Sequence, residues 1–360
     1  MVTEDEFGLT IRRAIGAELA VTYLLEMLRM STKQLFCSKI VWLAAFAGLA
    51  GVTPLSFADE PVENAGIASA GPGVGEIDNA FGQSLQKEPA EKGDDADPAK
   101  EDDQRVHLRV GIDWSTAYYS RGFRQEDRGS VVQPWAELGF TLHTWDTGEV
   151  GVFLGTWNSL HSKKTGAGDL VTGYRRNWYE ADVYAGVSAT LGDFTATATY
   201  LSWSSPNDAF DSATELQLRM SYDDSEYMGA WALSPSMLFV VEVDGATMDG
   251  VSPRGVYFEP SISPGFTIEK SAIGDIEVVF PITAGFSLGN YYSNDEGDDT
   301  FLGYETVGVK ASVPLPFNEK YGTWTLSSGV TMLFMNGPCK TMNDDDATEV
   351  IFTVGLSFEF

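Results

Sequence analysis

The sequence predicts an antiparallel transmembrane β-barrel of about 12 strands, and three observations favour it. Apolar residues alternate with polar or small residues through successive segments of residues 105–360. Short turns and longer polar loops alternate between these segments. The chain also ends in an amphipathic strand that closes on Phe360. A soluble β-sandwich is the alternative, but a sandwich does not need an apolar outward face on every strand.

Composition excludes several classes of function. The net charge of -29 argues against nucleic acid as a partner, because few cations are available to neutralise phosphates. Two cysteines, Cys37 and Cys339, do not make a disulfide framework. The three histidines are scattered and have no cysteine beside them, so we expect neither a metal site nor a cofactor.

The N-terminal region resembles a secretory leader. Residues 30–58 contain basic residues, an apolar core from Ile40 to Val52 and a small-residue cleavage site at Ser56-Phe57-Ala58. We expect a signal peptide here, with a transmembrane anchor as the alternative. Residues 1–29 are an upstream extension, either a long leader or the product of a start codon placed too early.

Residues 59–104 form an acidic segment rich in Ala, Gly and Pro. Thirteen Asp or Glu residues stand against three lysines. Such a segment cannot bury enough apolar surface to offset the entropy of ordering, so we expect a disordered periplasmic linker. A plug inside the barrel is the alternative.

The barrel strands begin at Arg105. From Val106 to Tyr118 the apolar residues occupy even positions, and Arg105, His107 and Arg109 lie opposite them. The same alternation, on even or odd positions, continues through 132–142, 150–156, 179–191, 194–200, 216–222, 233–243, 256–268, 276–288, 307–315, 324–334 and 348–360. An even strand number leaves both termini in the periplasm, with short turns inside and long loops outside.

Prolines and aromatic residues refine this assignment. Each proline inside a closed barrel removes a ladder hydrogen bond, so we expect bulges or strand ends at Pro134, Pro235, Pro260, Pro264 and Pro281. Aromatic residues near the predicted strand ends indicate interfacial girdles. They are Trp114, Tyr118, Trp145, Tyr179, Tyr200, Tyr222, Tyr257, Tyr321 and Trp324.

The terminal strand favours a bacterial outer-membrane location. Val350, Phe352, Val354, Leu356, Phe358 and Phe360 share one face of the strand. An aromatic C-terminus of this kind resembles the assembly signal of outer-membrane barrels. We therefore expect Phe358 and Phe360 to engage the barrel-insertion machinery. Outer-membrane lipid and lipopolysaccharide are the other expected partners.

The inward face predicts the polar lining of a pore. Acidic residues are expected in its outer half, namely Glu137, Glu180, Asp182, Glu215, Glu242, Glu259 and Glu349. Basic residues are expected mostly in its inner half, namely Arg105, Arg109, Arg219 and Lys310. Acidic rings favour cations. Twelve strands lie between filled and open barrels, so an open and an occluded lumen are both compatible with the sequence.

One motif indicates a family. Tyr118, Arg121, Gly122 and Gln125 form the spacing Y-x-x-R-G-x-x-Q at the end of the first strand, which resembles the TorF family of outer-membrane porins. The resemblance covers one hairpin, and it implies a porin-like barrel with poorly defined substrates. An ordinary loop turn at Arg121-Gly122 is the alternative reading.

The expected function is passive diffusion of small solutes through an outer-membrane channel with a cation preference. The alternative is a non-conducting structural or binding barrel. An enzyme is not expected, although the strand number is similar to that of outer-membrane phospholipase A. The candidate nucleophile and base, Ser162 and His161, are adjacent and have no evident orienting partner. The acidic runs 295–299 and 344–346 are expected to be solvated loops rather than divalent-cation sites.

Overall fold

The computed structural model describes residues 105–166, 171–244, 254–271, 273–293, 299–317 and 322–360. The predicted upstream extension, signal peptide and acidic linker, residues 1–104, lie outside the described residues. The barrel wall contains β1 (Val106–Ser115), β4 (Val131–Trp145), β5 (Gly148–His161), β6 (Trp178–Leu191), β7 (Phe194–Ser204), β8 (Ala213–Tyr222), β9 (Ser236–Asp244), β10 (Val256–Ile262), β11 (Gly265–Ser271), β12 (Gly274–Val279), β13 (Ile282–Gly289), β14 (Leu302–Pro314), β15 (Thr323–Met335) and β16 (Thr348–Glu359).

Neighbouring wall strands pair antiparallel, and the sheet closes on itself. The pairs β10–β11 and β12–β13 are each one wall strand divided in two, so twelve strands form the barrel. The seam joins β1 to β16 from Arg109↔Glu359 to Ser115↔Thr353. Phe360 extends the seam, because its N–H donates to the Leu108 carbonyl at 2.9 Å and its carbonyl accepts from Leu108 at 2.8 Å. The predicted fold class and strand number are confirmed.

The prolines explain where strands break. Pro235 precedes β9, Pro264 separates β10 from β11, and Pro281 separates β12 from β13. A proline cannot donate to the ladder, so these positions end strands as predicted. Pro134 and Pro260 instead lie within β4 and β10, where they stand opposite Ile112 and Met237.

The outward face of the barrel is apolar on every side. Its exposed large residues include Ile112, Leu154, Val183, Leu216, Val241, Phe266, Val309, Met332 and Phe352. Period-two alternation sends these side chains outward because their neighbours on the same strands point into the barrel. No helix among the described residues is long and apolar enough to cross a membrane.

The smaller elements lie in the connections. They are the hairpin strands β2 (Tyr118–Ser120) and β3 (Phe123–Glu126), the helices α1 (Ser225–Met228) and α2 (Gly337–Met342), and the 3-10 turns Gly173–Arg176 and Gly229–Trp231. Helix α1 lies in the connection between β8 and β9, on the same side of the barrel as the tight turns β4–β5 and β6–β7, which by the outer-membrane convention faces the periplasm. The hairpin β2–β3 and helix α2 belong to long connections on the opposite, outer side.

Two expectations for the first strand and the girdles are wrong. Strand β1 ends at Ser115, and Tyr118 belongs to the hairpin rather than to the lipid-facing row. Tyr118, Tyr179 and Tyr257 are buried in the interior, whereas Trp114, Trp145 and Tyr200 are exposed. Aromatic residues near strand ends therefore serve two purposes in this barrel, and only some of them can contribute to a girdle.

Candidate functional site

The connection between β1 and β4 folds into the barrel as the hairpin β2–β3. Residues 117–123 of this connection are all buried. Arg121 and Gly122 form the tip, with φ values of 45° and 90°. Positive φ at both central residues is what a two-residue type I′ hairpin turn requires. The alternative reading of Arg121-Gly122 as an ordinary loop turn is therefore wrong, because the apolar side chains of this hairpin find their packing partners inside the barrel.

Two apolar clusters hold the hairpin on its opposite sides. Tyr119 and Phe123 join a cluster that includes Leu238, Val240, Tyr257, Tyr291, Tyr292, Tyr304 and Leu333. Tyr118 joins the other cluster, with Phe153, Trp157, Tyr179, Tyr184, Leu201 and Trp203. Adjacent residues of a strand point to opposite faces, so the pair Tyr118-Tyr119 reaches both walls at once. Burial of these rings is the main force that keeps the hairpin inside.

Arg121 occupies a cage of a carboxylate and two aromatic rings. Its guanidinium donates to Glu215 through Nη1 at 2.9 Å and through Nη2 at 2.6 Å. Nη1 also donates to the Tyr291 hydroxyl. The Cζ atom lies 5.1 Å from the ring centre of Tyr257 and 5.7 Å from that of Tyr291. The side chains of Arg121 and Glu215 are only 2% and 1% exposed, so this ion pair is fully desolvated.

The other motif residues also contact the barrel interior. The Tyr118 hydroxyl donates to Glu180 at 3.0 Å, and the Tyr179 hydroxyl donates to Gln125. A Cβ atom at Gly122 would lie 2.9 Å from Cys339 Sγ and 3.1 Å from Cβ and Cδ1 of Tyr304, so a side chain there would be crowded as well as strained by the positive φ. All four positions of the Y-x-x-R-G-x-x-Q spacing thus take part in seating the hairpin, a role that the sequence did not suggest.

A segment of the last long loop covers the hairpin from outside. The Asn343 amide donates to the Gly122 carbonyl at 2.8 Å, and its Oδ1 accepts from the Arg124 N–H at 2.8 Å. Arg124 also pairs with Asp344 at 2.5 Å. This hydrogen bond and the positive charge of Arg124 lower the pKa of the Asp344 carboxyl from its usual value.

Three of the seven predicted acidic residues, Glu180, Glu215 and Glu349, accept hydrogen bonds from the hairpin. Glu137, Glu180, Asp182, Glu215 and Glu242 are buried, and Glu259 and Glu349 are partly buried. Glu349 accepts from the Tyr119 hydroxyl at 3.3 Å, and Glu259 accepts from Tyr257 and, at 2.7 Å, from Tyr304. Glu242 accepts from the Gly255 N–H at 2.6 Å. Their contribution to a permeation path remains a prediction.

The predicted basic residues lie apart from this cluster. Arg109 is 3.8 Å from Glu359 and lies over the Trp135 ring at 6.0 Å. The same Trp135 donates through Nε1 to Asp113 at 2.9 Å. Arg219 and Lys310 are partly exposed, and Arg105 is exposed. The roles of these four cations in ion passage are likewise predictions.

His161 belongs to a buried hydrogen-bond network that includes Ser159 and not Ser162, the serine that the sequence paired with it as a candidate. Its Nε2 is 3.0 Å from Ser159 Oγ, and its Nδ1 is 3.0 Å from Thr165 Oγ1, which donates to Glu126. The ring stacks on Tyr179 at 4.3 Å. Ser159 shares a face with His161 because the two are two positions apart, whereas Ser162 donates no bond to the ring and instead accepts from Ser130 N at 2.8 Å. Ser159 and His161 are both buried, and the network fixes the hairpin end to β5.

Away from these packed clusters, the interior face of β14, β15 and β16 stays polar and partly exposed. Its inward side chains on the last three strands are Thr306, Lys310, Ser312, Thr325, Ser327, Thr331, Thr353 and Ser357. Partial exposure inside a closed barrel means that unfilled space lies beside these side chains. Among the described residues no group of three or more His, Cys, Asp or Glu side chains has a metal-binding arrangement.

A closed antiparallel barrel with an apolar outward face and polar interior wall defines an outer-membrane β-barrel protein of bacteria. No protein-family model matches this chain, and no curated protein does either.

Several solved outer-membrane structures are similar to the barrel. An outer membrane channel from Pseudomonas putida F1 is 12% identical with a TM-score of 0.42, over 71% of this chain and 96% of that one. The NanC porin is 11% identical with a TM-score of 0.31, over 70% and 98% of the two chains. The translocator domain of the autotransporter NalP from Neisseria meningitidis is 12% identical with a TM-score of 0.36, over 78% and 93%.

Proposed function

We propose that this barrel is an outer-membrane channel for passive diffusion of small solutes, with a preference for cations. The observation that supports the proposal is the unfilled space beside the polar inward residues of β14, β15 and β16. Ser and Thr hydroxyls suit the wall of a water-filled path, because each can both donate and accept hydrogen bonds with water or a solute.

The hairpin β2–β3 closes the outer half of this path in the state described. Its tip is buried, and its contacts reach β6, β8 and β16. Passage of solutes therefore requires the hairpin to withdraw towards the outer side or to shift against the wall. The proposed channel is closed at rest and opens when the contacts of Arg121 break.

The hairpin also favours a second candidate, a non-conducting structural or binding barrel. Two apolar clusters and a desolvated ion pair hold it in place, and a permanent plug would be built in the same way. The two candidates differ in whether the hairpin leaves its seat under ordinary conditions.

Single-channel recording of the refolded protein in a planar bilayer tests the proposal. The wild type should show rare openings, and Arg121→Gly should open far more often because it removes the desolvated contacts of the tip. Glycine suits the positive φ at this position, so the turn itself is preserved.

Arg128→Gly provides the matched control. Arg128 follows the same hairpin but is 82% exposed and pairs with Asp127 at 3.5 Å, so its loss should leave the open probability unchanged. If the wild type and Arg121→Gly both fold but neither conducts, the result would contradict the channel and favour the structural barrel.

A further inference from the structure

The cage around Arg121 has the composition of a recognition site for a planar cation. Glu215 supplies both carboxylate oxygens to the two terminal nitrogens of one guanidinium, at 2.9 Å and 2.6 Å. This two-pronged geometry suits a guanidinium better than an ammonium, which is a point charge with rotating donors. The rings of Tyr257 and Tyr291 add cation–π contacts from within about 6 Å.

Groups outside the hairpin also help to hold this cage in shape. Gln217 Nε2 donates to Glu215 Oε1 at 2.5 Å, which fixes the carboxylate from its own strand. The Tyr257 hydroxyl bonds to Glu259 and lies 2.9 Å from that of Tyr304. Tyr291 is anchored through its N–H, which donates to Ser287 Oγ at 3.0 Å. The carboxylate and the rings are therefore held by bonds to residues outside the hairpin, and Arg121 occupies the site that they form.

The backbone conformation at residue 121 indicates that arginine is present there for the contacts of its side chain. Arginine is not a residue that this turn favours. A φ of 45° is favoured by Gly, Asn or Asp and is uncommon for a long side chain. Strain of this kind is retained where surrounding contacts over-determine it. The buried Nε of Arg121 also has no hydrogen-bond acceptor among the described residues, so the cage matches the terminal nitrogens of a guanidinium rather than the whole arginine side chain.

We propose that the cage of Glu215, Tyr257 and Tyr291 binds solutes that carry a guanidinium group, and that Arg121 occupies it as an internal substitute while the hairpin is seated. This inference deepens the proposed function, since it names the class of cation that the channel would select. A guanidinium solute and Arg121 then compete for Glu215, so binding of the solute favours withdrawal of the hairpin.

Chemical rescue of Arg121→Gly tests the cage directly. Removing the side chain leaves Glu215 buried without its cation and leaves space for a free guanidinium ion. Guanidinium chloride should raise the midpoint of the heat-induced mobility shift of Arg121→Gly above its value in equal sodium chloride. This rise in the midpoint temperature should saturate at roughly millimolar guanidinium, as expected for so small a ligand. Methylammonium chloride should act more weakly, because it cannot use both oxygens in one plane.

The controls separate binding from general salt effects. The wild type, whose cage is occupied, should show no rise, and Arg121→Gly combined with Glu215→Gln should lose it. If Arg121→Gly does not refold, the refolded fraction is measured instead, and guanidinium should restore it where sodium does not; Arg121→Asn serves as a second variant of the same turn. No rise or rescue, an equal effect of sodium, or an effect that survives Glu215→Gln would each overturn the cage.

The result of the guanidinium experiment does not depend on whether the barrel conducts ions. A barrel that binds guanidinium through Glu215 but is silent in planar bilayers retains the cage and contradicts the channel. A conducting barrel in which guanidinium stabilises neither variant retains the channel and contradicts the cage.

Discussion

At the level of single residues, the position of the hairpin depends most on the pair of Arg121 and Glu215. Both side chains are excluded from water, so each depends on the other for compensation of its charge. Removing one partner of a buried pair leaves an uncompensated charge, which costs far more than the pair contributes when intact. Glu349 lies nearby but is partly exposed and accepts a long bond of 3.3 Å from Tyr119.

Glu215→Gln should therefore lower the free energy of unfolding by about 3–5 kcal/mol, because it leaves the guanidinium of Arg121 buried without a counter-charge. Glu349→Gln, the matched carboxamide change on another wall strand, should cost less than about 1 kcal/mol. Urea unfolding of each variant in lipid vesicles, followed by tryptophan fluorescence, measures the difference. Similar losses in the two variants would show that the pair is not the main contact.

The two faces of one strand should respond differently to charge. Val309 points outward and is 40% exposed, whereas Thr306 points inward on the same strand. Val309→Arg should destabilise the barrel by roughly 2–4 kcal/mol, because arginine near the bilayer midplane is costly, and Thr306→Arg should cost much less. The same unfolding assay in vesicles compares them, and equal losses would argue against a lipid-facing Val309.

Glu215 shows how much of the candidate site the sequence could predict. The structure places Glu215 on the interior face, the face to which period-two alternation assigns it. That alternation cannot say that an arginine 94 positions earlier lies against it, because the contact depends on an inward fold of a loop. A local signal exists in Tyr200-Leu201-Ser202-Trp203, where large apolar residues occupy both faces and indicate that something packs inside.

At the level of elements, the hairpin shields the one cysteine of the described residues. Cys339 is fully buried, and its Sγ lies 3.8 Å from the Arg121 carbonyl. A thiol reagent can reach it only when the hairpin or the loop above it moves. Its modification rate therefore reports how often this part of the barrel opens.

In a Cys37→Ser background, maleimide should modify Cys339 slowly in the folded wild type and many times faster in Arg121→Gly, which loses the tip contacts. Arg128→Gly should match the wild type. Mass spectrometry of timed samples gives the rates. If Arg121→Gly and the wild type react at the same slow rate, the hairpin stays seated without Arg121.

The terminal strand completes the seam through the last residue. Phe360 exchanges both backbone hydrogen bonds with Leu108, and its ring is 55% exposed on the outward side. Deleting Phe360 should leave the protein degraded or held in the periplasm, because the exposed aromatic end is the expected signal for insertion. Phe360→Tyr should insert normally. Heat-modifiable migration of membrane fractions distinguishes the two, and unchanged migration after the deletion would show that the signal lies elsewhere.

At the scale of the whole molecule, the charges inside the barrel should set ion preference. Carboxylates concentrate around the hairpin, and low-dielectric walls focus their field on any path beside it. Under a KCl gradient, the reversal potential should show K+ crossing faster than Cl-. Glu180→Gln with Asp182→Asn should move the potential towards zero, and Lys310→Gln should move it the other way. Anion preference in the wild type would mean that Arg109, Arg219 and Lys310 dominate the field.

The architecture was predictable because it repeats. Twelve segments share one alternation, and each adds independent support for the same closed sheet. The hairpin occurs once, so no repetition reveals it, and its burial follows from clusters that join residues from β4 to β15. The sequence therefore predicts the wall well and its contents poorly.

The hairpin lies near the beginning of the barrel, yet its partners are spread along the rest of the chain. Tyr118 bonds to a residue 62 positions away, Arg121 to one 94 away and Tyr119 to one 230 away. Contacts of such separation form late, because loop-closure entropy must be lost before they contribute stability. β1 likewise pairs across the seam with β16, the last strand of the barrel. Although the partners of the hairpin on β6 and β8 precede β16 in the chain, the first strand and its hairpin acquire their full set of neighbours only once the last strand is in place.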